Sequence, residues 1–121
     1  MINKKSKIFI TGHKGLVGSA LTKIFTEHGY HNLILINKKK LNLSNQKKVN
    51  SFLKNNKPDL IINAAAKVGG ILANQKFKAD IIYQNTIIQT NLINGAFNND
   101  IFNIIFLGSS CIYPNNFLKP I

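Results

Sequence analysis

Residues 7–20 read Lys7-Ile8-Phe9-Ile10-Thr11-Gly12-His13-Lys14-Gly15-Leu16-Val17-Gly18-Ser19-Ala20, and this stretch decides the fold. Lys7–Thr11 is a short apolar run stopped by a glycine, the pattern of a buried strand. After it, Leu16, Ala20, Ile24 and Phe25 recur at helical spacing until Gly29 closes the helix. Strand and helix are joined by Gly12-His13-Lys14-Gly15-Leu16-Val17-Gly18, a G-x-x-G-x-x-G turn. Such a turn places the first helical N–H groups, and the partial positive charge they carry, at the end of the strand. Glycine at the first position allows a positive φ, at the second a close approach of an anion, and at the third tight packing of helix on sheet.

Working outward, Leu33–Ile36 reads as a second strand, and Ser44 is placed to cap a helix through Val49, Phe52 and Leu53 that ends before Pro58. Leu60–Ile62 is a third strand, continued by Ala64-Ala65-Ala66. Residues 67–79, with Gly69 and Gly70 adjacent, read as a loop. Ile81, Ile82, Ile88, Leu92, Ile93 and Phe97 mark a long helix from about Asp80 to Asn99. Ile104–Leu107 is a fourth strand stopped by Gly108. Apolar strands alternating with helices predict an α/β fold: a doubly wound parallel sheet of Rossmann type over residues 1–121, truncated after the fourth strand. Such folds bind ligands at the carboxyl edge of the sheet, and a glycine turn in this context predicts a dinucleotide.

Composition narrows the alternatives. The chain has 121 residues, 45% of them apolar, enough for one domain with a core. No apolar run approaches the roughly 18 residues of a membrane helix. The basic start lacks a signal-peptide core, so a cytoplasmic location is expected. The single cysteine, Cys111, excludes an intrachain disulfide, and His13, His28 and His31 have no metal-ligand spacing. No metal is expected. The net charge is +12, but the lysines are scattered among Asn and Ile without the interleaved aromatics that stack bases, so nucleic acid is not expected as a partner.

The second strand separates the two nicotinamide dinucleotides. Enzymes that use NAD place a carboxylate there for the ribose 2′-hydroxyl. Here the stretch is Asn37-Lys38-Lys39-Lys40, with three cations and no acid. It would attract a 2′-phosphate, which predicts NADP.

Four segments carry a family resemblance: residues 12–20; Ala64-Ala65-Ala66-Lys67-Val68-Gly69-Gly70-Ile71; Tyr83-Gln84-Asn85; and Leu107-Gly108-Ser109-Ser110-Cys111-Ile112-Tyr113-Pro114. Together they resemble the GDP-L-fucose synthase family of extended short-chain dehydrogenase/reductases. The glycine turn is shared by the whole superfamily; the second and fourth segments are much narrower. The resemblance implies that the complete enzyme, a homodimer, epimerises GDP-4-keto-6-deoxy-D-mannose at carbons 3 and 5 and reduces its 4-keto group with NADPH. By motif, Ser109 matches the catalytic serine on the keto oxygen and Cys111 the acid/base of the epimerisation. Asn85 matches the asparagine that helps to fix the active-site architecture. The implied cofactor contacts are Gly12, His13, Lys14, Gly15, Leu16, Val17 and Gly18, then Asn37 and Lys38, then Ala65, Asn85, Leu107, Gly108, Ser109 and Ser110.

One departure from the family is large. Its Tyr-x-x-x-Lys proton-donor pair does not occur in these residues: Tyr30, Tyr83 and Tyr113 are followed at the fourth position by Ile34, Ile87 and Phe117. The chain thus reads as the N-terminal part of the enzyme, expected to be inactive alone. The alternative is a non-catalytic NADP(H)-binding module.

Overall fold

The computed structural model describes residues 2–109, apart from the side chain of Ile71. In chain order the elements are β1 (Ile8–Thr11), α1 (Leu16–Glu27), β2 (Leu33–Ile34), α2 (Gln46–Asn56), β3 (Leu60–Asn63), α3 (Ile71–Lys76), α4 (Lys78–Phe97) and β4 (Ile104–Phe106). The four strands form one parallel sheet in the order β2-β1-β3-β4. The chain first steps from β1 to β2 on one side, then crosses back to β3 on the other. The switch point, where a doubly wound sheet opens a crevice, therefore lies between the carboxyl ends of β1 and β3.

The two faces of the sheet are read off alternate residues. Phe9 and Ile61 face α2 and α4, where they pack with Val49, Leu53, Leu92, Ala96 and Ile101. Ile8, Ile10, Leu60 and Ile62 face the other way, toward Leu21 and Phe25 of α1 and toward Tyr30. Both faces are covered, which is why these strands are apolar throughout instead of alternating. On the first face α2 and α4 come close at Gly95, where a Cβ would meet Leu53 Cδ1 at 3.0 Å.

Element ends follow local chemistry. Gly29, at φ +80°, ends α1 as a Schellman cap: Tyr30 N donates to Phe25 O and Gly29 N to Thr26 O. Three expectations need correction. The cap of α2 is Asn45, whose side chain accepts from Lys48 N at 2.9 Å, whereas Ser44 donates to Gln84 Oε1. β2 stops at Ile34 instead of Ile36, because the chain turns at Asn37, whose carbonyl accepts from both Lys40 N and Leu41 N. Residues 67–79 are not all loop, since α3 occupies Ile71–Lys76.

The rotation of α1 also differs from the sequence reading. Gly18, Leu21 and Phe25 face the sheet, while Leu16, Ala20 and Ile24 are exposed. The cause is Gly18. A Cβ there would lie 2.1 Å from Gly12 O, so this position must face the turn, and the rest of the helix follows in register.

At the switch point β1 and β3 are tied by buried side chains. Thr11 Oγ1 donates to Asn63 Oδ1 at 2.5 Å, and Ala65 N donates to both acceptors, at 3.2 and 3.3 Å. Thr11→Val keeps the shape and removes the donor, leaving the buried Asn63 Oδ1 with only the longer bond from Ala65 N. It is expected to lower the unfolding free energy by about 1–3 kcal/mol in denaturant titration.

Candidate functional site

The glycine turn forms one wall of the crevice. Gly12 has φ +66°, and a Cβ on it would lie 2.5 Å from Ala64 O and 2.8 Å from Ala65 N. Its backbone thus rests against the peptide that leaves β3. Gly15 differs. Its φ and ψ, −78° and 173°, suit any residue, and a Cβ would meet only Gly12 O, at 3.3 Å. Glycine at this position leaves room on the outside of the turn. Gly15 is also the N-cap of α1, where no side chain makes a cap hydrogen bond and no acidic residue occupies the first turn. The first-turn N–H groups, left without intrahelical partners by helix geometry, are therefore offered to whatever enters. This cradle, which a Cβ would narrow, fits a pyrophosphate.

The other expected residues gather on the same edge. His13 is half-buried in the turn, while Lys14, Val17 and Leu16 are exposed, Leu16 by 91%. Past β2, Asn37 Oδ1 accepts from Lys40 N at 3.2 Å, so its side chain shapes the turn that presents Lys38, Lys39 and Lys40 to solvent. Past β3, Ala65 is pinned by Thr11 and Asn63. Asn85, on α4, reaches the same loop: its Oδ1 accepts from Lys67 N at 2.6 Å and its Nδ2 donates to Lys67 O at 3.0 Å. Past β4 come Leu107, Gly108 and Ser109, all exposed. Because Asn63 pairs with Phe106, these residues leave the sheet beside Ala64–Ala66. Ser110 and Cys111 lie outside the described residues.

Sequence reasoning missed Thr11, Asn63 and Asp80. The first two carried a usable signal: each is a polar residue ending an apolar strand beside a small-residue turn, as a buried polar tie between adjacent strands requires. Asp80, which pairs with Lys67, offered none, since the two are joined by an α3–α4 elbow that the sequence did not reveal. Among the described residues no group of three His, Cys, Asp or Glu side chains could hold a metal ion, and no helix is long and apolar enough to cross a membrane.

A parallel four-stranded sheet with an anion cradle at its switch point defines a Rossmann-like dinucleotide-binding architecture. The chain belongs to the NAD dependent epimerase/dehydratase family, whose profile matches residues 8–120. It is 48% identical over 121 residues to GDP-L-fucose synthase 1 of Arabidopsis thaliana, an alignment that covers all of this chain and 38% of that protein. It is 44% identical over 116 residues to GDP-L-fucose synthase of Escherichia coli strain K12, covering 96% of this chain and 36% of that one. The chain thus spans less than two-fifths of the length of these relatives. Among solved structures, MlghC, a GDP-mannoheptose C4 reductase from Campylobacter jejuni with NADP bound, superposes with a TM-score of 0.93 at 38% identity, over all of this chain and 38% of that one.

The two glycines of the turn make separable predictions. Gly12→Ala forces a Cβ into backbone and is expected to lower the unfolding free energy by about 1–3 kcal/mol. Gly15→Ala, in an ordinary backbone conformation with one mild contact, is expected to stay within about 1 kcal/mol of the parent. Parallel urea titrations of the two variants check this. The sequence already asked a positive φ of Gly12; the geometry adds that its backbone packs directly on the Ala64–Ala65 peptide.

Proposed function

We propose that this chain is the NADP-binding N-terminal part of a GDP-L-fucose synthase. The observation that carries this reading is the convergence on one sheet edge of the open α1 N-terminus, the Lys38–Lys40 turn, the Ala64–Gly70 loop and Ser109. In this reading Gly12–Gly18 cradle the pyrophosphate, with Lys14 adding charge at the rim. Lys38, with Asn37 holding its turn, meets the 2′-phosphate, where a carboxylate would repel it. Ala65, Asn85 and Leu107–Ser110 line the remaining length of the cofactor. Similarity supports the reading further: the relatives above are GDP-L-fucose synthases, and a solved neighbour holds NADP.

The substrate is then GDP-4-keto-6-deoxy-D-mannose. When bound, NADPH supplies the hydride that reduces the 4-keto carbon. This chain's own contribution is to the oxygen and to the flanking protons. Ser109 donates a hydrogen bond to the keto oxygen and stabilises the negative charge that develops there. Protons on carbons 3 and 5 flank the ketone and are acidic enough for a side-chain base. Cys111 moves a proton there as thiolate or thiol. The proton donor of the reduction and the sugar pocket belong to further parts of the complete enzyme, a homodimer. Exposed Ile82, Ile93 and Phe97 along α4 suit a buried partner face in that assembly. Residues 1–121 are the cofactor domain, and the enzyme is cytoplasmic.

The test needs the complete enzyme containing this segment and solvent deuterium. Cys111→Ala is expected to abolish deuterium incorporation at carbons 3 and 5 while the ketone is still reduced. Ser109→Ala is expected to slow exchange and reduction together, by roughly 10²–10³-fold. Deuterium exchange at the parent rate in Cys111→Ala would leave the thiol a packing residue and remove the epimerase assignment.

A further inference from the structure

Three contacts converge on Lys67, in the loop between β3 and α3. Asn85 holds both hydrogen-bonding groups of its backbone, the N–H at 2.6 Å and the carbonyl at 3.0 Å. The Lys67 ammonium pairs with the Asp80 carboxylate, five residues earlier on the same helix α4. At its other end the loop is closed against the glycine turn, where Ala64 O and Ala65 N occupy the space a Gly12 Cβ would need. Ala65 N is further held by Thr11 and Asn63. The segment Ala64–Lys67 is therefore fixed at both ends, one end on the sheet and the other on α4.

The Lys67–Asp80 pair is about half exposed, at 48% and 46% of the side-chain surfaces. Exposed pairs add little to global stability. Asp80 also lies in the first turn of α4, where a carboxylate suits the helix dipole, a local effect that stability would report. Neither effect describes what the pair does for the loop that carries Lys67, whose backbone Asn85 holds from the same helix. A free Lys67 side chain could swing toward a bound polyanion and draw its loop along.

We propose that Asp80 is a positioning residue for the dinucleotide crevice. It keeps the Lys67 ammonium on α4, and so holds the Ala64–Lys67 segment in place beside the glycine turn before the ligand arrives. This rests on the NADP reading above.

The sign of one substitution separates positioning from bulk electrostatics. Asp80→Asn removes a negative charge from an edge that meets a polyanion, so on charge alone NADPH binds more tightly. On the positioning account it binds more weakly, because the loop must then be ordered during binding. The experiment titrates the full chain, its Asp80→Asn variant and its Asp80→Glu variant with NADPH by fluorescence, alongside thermal unfolding and hydrogen exchange. Asp80→Asn is expected to weaken NADPH about three- to tenfold, to speed exchange of the Lys67 amide, and to shift the unfolding midpoint by no more than about 2 °C. Asp80→Glu is expected to recover affinity to within about twofold of the parent, since it keeps the charge that holds Lys67. Equal or tighter binding by Asp80→Asn overturns the proposal, as does an equal loss in Asp80→Glu. Failure of the parent chain itself to bind NADPH would overturn the NADP reading, and this proposal with it.

Discussion

The close contact between the Gly12 backbone and the Ala64–Ala65 peptide is the constraint on which the rest of this structure depends. It brings the exits of β1 and β3 together with no side chain between them. Gly12 must then adopt a positive φ, and Gly18 must face its carbonyl, which sets the rotation of α1 over the sheet. The same contact places the uncapped start of α1 on the crevice side of the switch point. Packing and the shape of the crevice are thus set by the same few atoms. The turn cannot be relaxed to improve one without disturbing the other.

The architecture was legible from residues 7–20 and from the alternation of apolar strands with helices, because a sheet buried on both faces leaves continuous apolar runs. The glycine spacing read correctly as strand, turn and helix. The rotation of α1 did not. Leu16, Ala20 and Ile24 fit helical spacing as well as Leu21 and Phe25 do, and only the backbone contact of Gly18 selects between the two stripes. The Asn45 cap was hidden because Asn and Ser are equally good caps and stand side by side. The end of β2 was obscured because Leu35 and Ile36 have strand propensity, yet the Asn37 turn takes the chain away from β1. Tertiary contacts decided each case.

For the proposed site, the glycine turn and the Lys38–Lys40 stretch could be located from the sequence because they are local signals, and the structure places both at the ends of strands of one parallel sheet. What holds the second wall of the crevice could not be located in this way. Thr11 meets Asn63 across 52 positions of sequence, and Asn85 meets Lys67 across 18. Asn85 shows the difference: the motif implied a role in site architecture, and the structure gives it a physical form, a two-bond clamp on one residue of the Ala64–Gly70 loop. The charge balance also takes on meaning here. Among the described residues, acidic partners are few, and the lysines presented beside the crevice at Lys14 and Lys38–Lys40 are exposed and without ion pairs. Their attraction for a phosphate ligand is of the long-range kind that salt screens.

The central claim is that the α1 N-terminus and the Lys38–Lys40 turn together receive NADP. Backbone amide NMR of the ¹⁵N-labelled chain, titrated in parallel with NADPH and NADH, tests it most directly. The account predicts that NADPH causes its largest shifts at the amides of Leu16, Val17 and Gly18 and at Lys38–Lys40, and that NADH binds more weakly without perturbing the lysine turn. Equal affinity for the two dinucleotides, or shifts that bypass the first turn of α1, would contradict it.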